Sequence, residues 1–296
     1  MKAAPGAGLA DRVRMQNLGL SLVMLGQGVP FFHAGDDLLR SKSLDGNSYN
    51  SGDWFNRLDF TYQSNNFAVG LPMAGDNQSN WPLMQPLLAN PALKPSQAEI
   101  LASLENYKEM LAIRRSSSLF RLQTGQQVID RLKFYNTGPA QIPGLIVMHL
   151  DGEGFTGKEN PYQSILVLFN ATHAQVSFAN PDFASMAYHL HPIQAGSRDQ
   201  IVRQASFDQA GGAFSVPART AAVFVVDAPP EVGPSATSVT PRATPSAAVF
   251  IPAVAGEAAK AQPPSGLNQP WLPWLFLGIV AILAIALIIW RRRINR

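Results

Sequence analysis

Residues 26–60 read GQGVPFFHAGDDLLRSKSLDGNSYNSGDWFNRLDF, and their pattern sets the reading of the N-terminal half of the chain. Gly26 and Gly28 mark a break. Before them, Asp11–Leu25 (DRVRMQNLGLSLVML) places Val13, Leu18, Leu22 and Leu25 at helical spacing behind an Asp suited to cap the N-terminus. After them, the apolar run Val29–Ala34 predicts one short strand. Asp36–Pro95 is dominated by Asn, Ser, Gly, Asp and Pro, and a loop of about 60 residues inside a compact domain marks a functional segment. A second helix is predicted over Ser96–Arg115, where Ser96 and Glu99 form a capping box and Ile100, Leu104, Met110 and Leu111 form the apolar stripe.

From Val128 to Asp227 the pattern changes to short apolar runs (VIDRLKF, LIVMHL, SILVLF, QVSF, MAYHLH, AFSV, AAVFVV) punctuated by Gly, Pro and Asn, which predicts an all-β domain of sandwich type. We expect this segment to fold alone and Met1–Gln127 to be unstable alone. Residues 228–268 are rich in Pro, Ala, Ser and Thr, a composition that buries too little apolar surface to fold and reads as a disordered linker with a reach of about 100 Å.

The run Trp271–Trp290 (WLPWLFLGIVAILAIALIIW) carries no charge, and 20 residues at about 1.5 Å rise span a bilayer core. Trp271, Trp274 and Trp290 stand where indoles favour the headgroup layer. Arg291, Arg292 and Arg293 follow, which predicts a single-pass membrane anchor with a cytoplasmic tail and the bulk of the chain outside. The N-terminus shows no apolar signal-peptide core, so export is left either to this segment or to residues preceding Met1.

The chain has 296 residues, with 23 Lys and Arg against 20 Asp and Glu. Four of the arginines fall in the last six residues, so the remainder is near neutral and lacks the clustered cations of a nucleic-acid surface. With no Cys, disulfides, thiolate metal sites and a cysteine nucleophile are excluded.

Residues 26–60 resemble the pullulanase-type α-1,6-glucosidases of glycoside hydrolase family 13, and so do LPMAGDNQSNWP (71–82), LAIRRSSSLFRL (111–122), FYNTGPAQIPGLIVMHLDG (134–152) and VPARTAAVFVV (216–226). The likeness is collinear over about Leu9–Val226 and corresponds to the C-terminal third of those enzymes. It implies an α+β fragment: residues 1–127 as the end of an incomplete (β/α)8 TIM barrel, with Val29–His33 as its last strand between flanking helices, and 128–227 as a C-terminal β-sandwich. The linker (228–268) and the transmembrane segment with its basic tail (269–296) complete the chain. In such barrels functional groups sit on loops after the C-terminal ends of strands, which fits the loop after His33.

The resemblance also implies part of a cell-surface debranching enzyme that cleaves α-1,6 bonds of pullulan, glycogen or limit dextrins with retention. Members carry the nucleophilic Asp, the general-acid Glu and the transition-state-stabilising Asp on earlier strands, and no residue here matches them. Retaining cleavage needs two carboxyl groups about 5–5.5 Å apart. The expectation is therefore a chain inactive alone, partnered with α-glucan, the membrane and the preceding barrel segment, with no catalytic residue, no metal ligand and no cofactor assigned and calcium left open. Asp53 and Arg57 resemble the family's Asp/Arg pair that hydrogen-bonds a glucose unit, and Trp54 offers a flat face to a pyranose ring. Without the resemblance, Asp53 and Arg57 read as an i,i+4 surface ion pair. The alternative function is a non-catalytic, membrane-anchored glucan-binding or scaffold module.

Other polar clusters read as structural. His189 and His191 alternate on an expected strand and share a face, the minimum for two metal ligands, but no third ligand is apparent. His33 reads as a strand-end hydrogen-bonding residue. Adjacent Asp36 and Asp37 do not form a carboxylate dyad, and Arg40 to Ser43 reads as a loop-anchoring ion pair rather than a phosphate site.

Overall fold

In the computed structural model, which describes Ala4 and residues 6–155 and 160–229, helix α1 spans Leu9–Leu25. Gly8 occupies its N-cap and Asp11 lies in the first turn, where a carboxylate suits the helix dipole. The buried positions are Val13, Leu18, Leu20, Ser21, Met24 and Leu25, whereas Leu22 is 38% exposed. Of the expected stripe, Val13, Leu18 and Leu25 are buried and Leu22 alone turns outward.

No strand forms at Val29–His33, in contrast to the expected barrel strand. A strand exists only where its N–H and C=O groups pair with a neighbour, and among the described residues this segment has no ladder partner. It is nonetheless fixed in place. Val29 and Phe31 are 93% and 91% exposed, while Phe32 packs edge-on against Tyr107 with ring centroids 5.2 Å apart. The buried Arg114 donates to the carbonyls of Met24 (2.8 Å), Gly26 (2.7 Å) and Gly28 (2.5 Å), holding the turn before the segment.

The long polar stretch contains helical turns: α2 (Asp53–Asn56), α3 (Ala74–Asn77) and α4 (Trp81–Leu88). Helix α5 (Gln97–Ser116) starts at the expected capping box, with Ser96 N donating to Glu99 Oε2 at 2.8 Å and Ala98 N to Ser96 Oγ at 3.2 Å. Its buried face is Ile100, Ser103, Met110, Ile113 and Arg114, while Leu111 is 45% exposed. A polar Ser and an Arg thus sit where a hydrophobic stripe was expected, each paid off by a hydrogen bond: Ser103 Oγ donates to Asn17 Oδ1 at 2.9 Å.

The strands follow after α6 (Gly125–Arg131), which forms from a Thr124/Gln127 capping box where a strand was expected. They are β1 (Leu132–Tyr135), β2 (Leu145–Asp151), β3 (Tyr162–Asn170), β4 (Val176–Ala179), β5 (His189–Leu190), β6 (Ser206–Asp208), β7 (Ala213–Val216) and β8 (Thr220–Asp227). Between β5 and β6 lies the short helix α7 (Pro192–Ala195). All pairings are antiparallel, in a five-stranded sheet of order β1-β2-β3-β8-β5 and a three-stranded sheet of order β4-β7-β6.

The two faces of β3 and β8 enter different cores, because side chains alternate along a strand. Ile165, Val167, Val223 and Val225 pack with Leu18, Met24, Leu25, Met110 and Ile113 of α1 and α5. Leu166, Leu168, Ala222 and Phe224 pack instead with Phe178, Phe214 and Val216 of the second sheet. Burial on both faces explains why SILVLF and AAVFVV are apolar without alternation. Phe214 sits at the hub of the second core, with the rings of Phe207, Phe224, Tyr188 and Phe183 at 4.4, 5.0, 5.2 and 5.7 Å. Packing therefore runs across residue 127: helices, large sheet and small sheet form successive layers within the unit Met1–Gly233.

The linker beyond residue 229, the run Trp271–Trp290 and Arg291, Arg292 and Arg293 lie outside the described residues. Among the described residues no helix is long and apolar enough to cross a membrane.

Candidate functional site

The loop between His33 and Ser96 is anchored by Leu38 and Leu39, buried with Val13 and Ile100, and holds its shape beyond them through buried polar side chains. Asp45 is its centre: it accepts from Ser51 Oγ, from Asn77 Nδ2 at 2.9 Å and from the Asn47 N–H at 3.0 Å. Burial pushes its carboxyl up, but these bonds and the charge of Lys42 outweigh burial and hold it below its ordinary value. Asn77 also accepts from the Gly46 N–H at 2.9 Å, and Ser43, fully buried, donates to Gly70 O at 2.5 Å. At Asp59 the Thr61 and Ser64 hydroxyls and the backbone N–H groups of the same residues bring the carboxyl down to about 2.

Non-glycine residues with positive φ concentrate here: Leu39 (56°), Ser43 (51°), Leu44 (70°), Tyr62 (58°) and Ala68 (62°). Such conformations are costly and persist where surrounding contacts over-determine them, as they do around functional sites.

This scaffold presents α2 at the surface. Asn66 Nδ2 donates to Trp54 O at 2.8 Å and to Arg57 O at 2.9 Å, and Asn56 exchanges hydrogen bonds with Ser48, to its O at 3.0 Å and from its Oγ at 2.9 Å. Phe55 points inward and is buried, its ring edge-on to Trp54 with centroids 5.4 Å apart. Asp53, Trp54 and Arg57 point outward, Trp54 being 59% exposed. Arg57 leaves the helix at φ −57°, ψ 137°, so the i,i+4 alignment is lost and no ion pair among the described residues joins it to Asp53. Both charged groups stay directed to solvent beside an aromatic face, an arrangement able to exchange hydrogen bonds with adjacent hydroxyls while a ring covers an apolar surface.

Three features of this site are absent from the sequence reading: the pins Asn56 and Asn66, and Tyr49, 88% exposed on the turn next to α2. The signal available was the density of Asn in the loop, which sequence inspection reads only as turn propensity.

The remaining candidates separate. His33 Nε2 lies 2.7 Å from Arg40 Nη1, and the backbone N–H of His33 donates to Asp36 Oδ2 at 3.0 Å, while Asp37 accepts from Tyr62 OH at 3.1 Å, so the two carboxylates have different partners. His189 is exposed and lies 3.1 Å from Asp227 Oδ2. His191 is buried at the N-cap of α7, with Nδ1 accepting from the Ile193 N–H at 3.2 Å. The two do not share a face, because the strand ends at Leu190. Among the described residues no group of three His, Asp or Glu side chains stands ready for a metal ion.

Residues 62–227 match the family model described as alpha-1,6-glucosidases, pullulanase-type, C-terminal; Asp53, Trp54 and Arg57 precede the matched range. Pullulanase 1, chloroplastic, of Arabidopsis thaliana is 49% identical over 221 residues, covering 73% of this chain and 23% of that protein. The pullulanase of Klebsiella pneumoniae is 38% identical over 225 residues, covering 75% of this chain and 20% of that protein. Among solved structures, PulA from Klebsiella oxytoca superimposes with a TM-score of 0.69 at 34% identity, over 79% of this chain and 22% of that one. The maltotriose complex of PulA from Klebsiella pneumoniae superimposes with a TM-score of 0.69 at 36% identity, over 75% and 24%. The chain thus spans about a fifth to a quarter of the length of the relatives it matches.

Proposed function

Because the chain belongs to the pullulanase-type α-1,6-glucosidases as their C-terminal part, we propose that it serves an α-glucan debranching enzyme and that Asp53, Trp54 and Arg57 bind a glucose unit of the branched substrate. The observation that carries this reading is the outward presentation of the three side chains on a turn pinned by Asn66 and Asn56. A carboxylate accepts two sugar hydroxyl protons, a guanidinium donates in a planar fork, and an indole covers the apolar face of a pyranose. The maltotriose held by a similar protein supports an α-glucan as the ligand.

The test is titration of the purified chain with maltotriose and pullulan. Charge-assisted hydrogen bonds contribute about 1.5–3 kcal/mol each, so Asp53→Ala and Arg57→Ala are expected to weaken binding about tenfold or more with the melting curve unchanged. Equal affinity in wild type and both variants would sink the assignment. No reducing ends are expected to appear from pullulan, because the resemblance assigns neither of the two carboxyl groups required for retaining cleavage to this chain. Steady release of reducing ends overturns that half of the proposal.

From the sequence we also propose that Trp271–Trp290 anchors the protein in the cell membrane with Arg291, Arg292 and Arg293 on the cytoplasmic side. Full-length protein is then expected to stay with the membrane pellet after an alkaline carbonate wash and a chain ending at residue 268 to leave it. Recovery of both in the supernatant excludes the anchor.

A further inference from the structure

A groove of about 450 Å³ opens between α1, α5 and the loop 197–201, sharing no residue with the glucan-binding turn. Its apolar wall is formed by Val13, Ala98, Leu101, Ala102 and Ile201, with charged and polar side chains along the rest of the lining. Glu109 lines it from the middle of α5 and has a single described partner, Ser197 Oγ, which donates to its Oε2 at 3.0 Å.

Most of the other charges of the groove have partners of their own, although Arg14 Nε is buried without an acceptor. Arg14 donates to Asp199 Oδ2 at 2.8 Å and to Thr220 Oγ1 at 2.6 Å, Glu105 pairs with Lys108 at 3.1 Å, Glu99 is held in the capping box, and Arg198 is exposed at the rim. Among the described residues no cation pairs with Glu109, and the charges felt by its carboxyl are two further carboxylates, Asp199 and Glu105. Burial first, then these neighbours, pushes the carboxyl up, against the Ser197 bond.

Apolar walls around a half-buried carboxylate make a receptor for a molecule with an apolar body and a cationic N–H head. A glucan is a poor fit, since no lining residue is aromatic. We propose that this groove binds a small amphipathic ammonium compound, its N–H groups donating to Glu109 and its hydrocarbon body lying against Leu101 and Ile201.

The experiment is calorimetric titration of the full chain in a nonionic detergent with cyclohexylmethylammonium, in parallel with cyclohexylmethanol and cyclohexanecarboxylate. The amine is expected to give saturable binding that Glu109→Gln weakens about tenfold, the effect of removing one charged partner. Leu101 is 40% exposed, so Leu101→Trp fills the groove mouth without disturbing a core, and it is expected to abolish the saturable heat. The alcohol and the carboxylate are expected to bind at least tenfold more weakly. Identical titrations of wild type and Leu101→Trp, or equal binding of the alcohol and the amine, overturn the proposal.

Discussion

A chain cut to residues 128–229 is expected to lose the sharp unfolding transition of residues 1–229. The cut strips α1 and α5 from the five-stranded sheet and bares Leu150, Ile165, Val167, Val223 and Val225, all fully buried in the longer chain. Each such side chain contributes about 1.5–3 kcal/mol by burial. Exposing five of them therefore costs on the order of 10 kcal/mol, as much as the whole stability of a typical domain. Differential scanning calorimetry decides it: a cooperative peak from the short piece, with calorimetric and van't Hoff enthalpies equal, shows that the sandwich folds without its helices. Composition alone suggested an autonomous β domain from Val128 onward, because the apolar runs on that side look self-sufficient until their two faces are assigned to two cores.

Acidification from pH 6.5 to 4 is expected to destabilise the fold by about 3 kcal/mol for each of two histidines. His149 is buried beside the Tyr135 and Phe183 rings and accepts or donates at Nε2 with Ser164 Oγ at 2.8 Å. Desolvation brings it down to about 4, the nearby charges of Asp151 and Lys133 acting in opposite directions. His191 is also brought to about 4, by desolvation first and then by His189. Its Nδ1 accepts from Ile193 N–H, so Nε2 carries the proton toward the Ser116 and Tyr162 hydroxyls, each at 3.1 Å, and a second proton would break the cap of α7.

The sign follows from where the proton binds. An unfolded histidine titrates near 6.5, so between pH 6.5 and 4 the unfolded chain holds more protons, stability falls with pH, and the loss is complete below about 4. Glu109 opposes this, since its raised folded value makes the native state bind a proton more readily on acidification. Urea unfolding at pH 7 and pH 4.5 measures the difference, and His191→Asn, which keeps an N-cap acceptor, is expected to remove about half of it. A stability profile flat from pH 6.5 to 4 excludes neutral buried histidines as its cause.

Signals that depend on local spacing were legible. The Ser96/Glu99 capping box, the helix stop at Gly26 and the apolar runs that became β2, β3, β7 and β8 all emerged where their residues predicted them. Signals that depend on a partner were not. Val29–His33 has the composition of a strand but no neighbour to pair with among the described residues. Leu22 and Leu111 sit at helical spacing yet face outward, because Met24, Met110 and Ile113 happen to meet the sheet. In the candidate site, Asp53 and Arg57 were singled out by resemblance, whereas Asn66 and Asn56, which set the turn, have no local pattern that distinguishes a pin from a loop residue.

The sequence by itself determined the family likeness, the presence of the two long helices, the β-rich second half and the chemistry available at residues 53–57, because periodicity, capping and motif identity are written in residues close together along the chain. The tertiary structure alone decided that helices and sandwich share a core, that Asp53 and Arg57 stand apart rather than paired, and that Glu109 faces a groove without a cation. Each of those depends on contacts between residues distant in the chain, and the burial that selects among them acts on surfaces that exist only once the layers have come together.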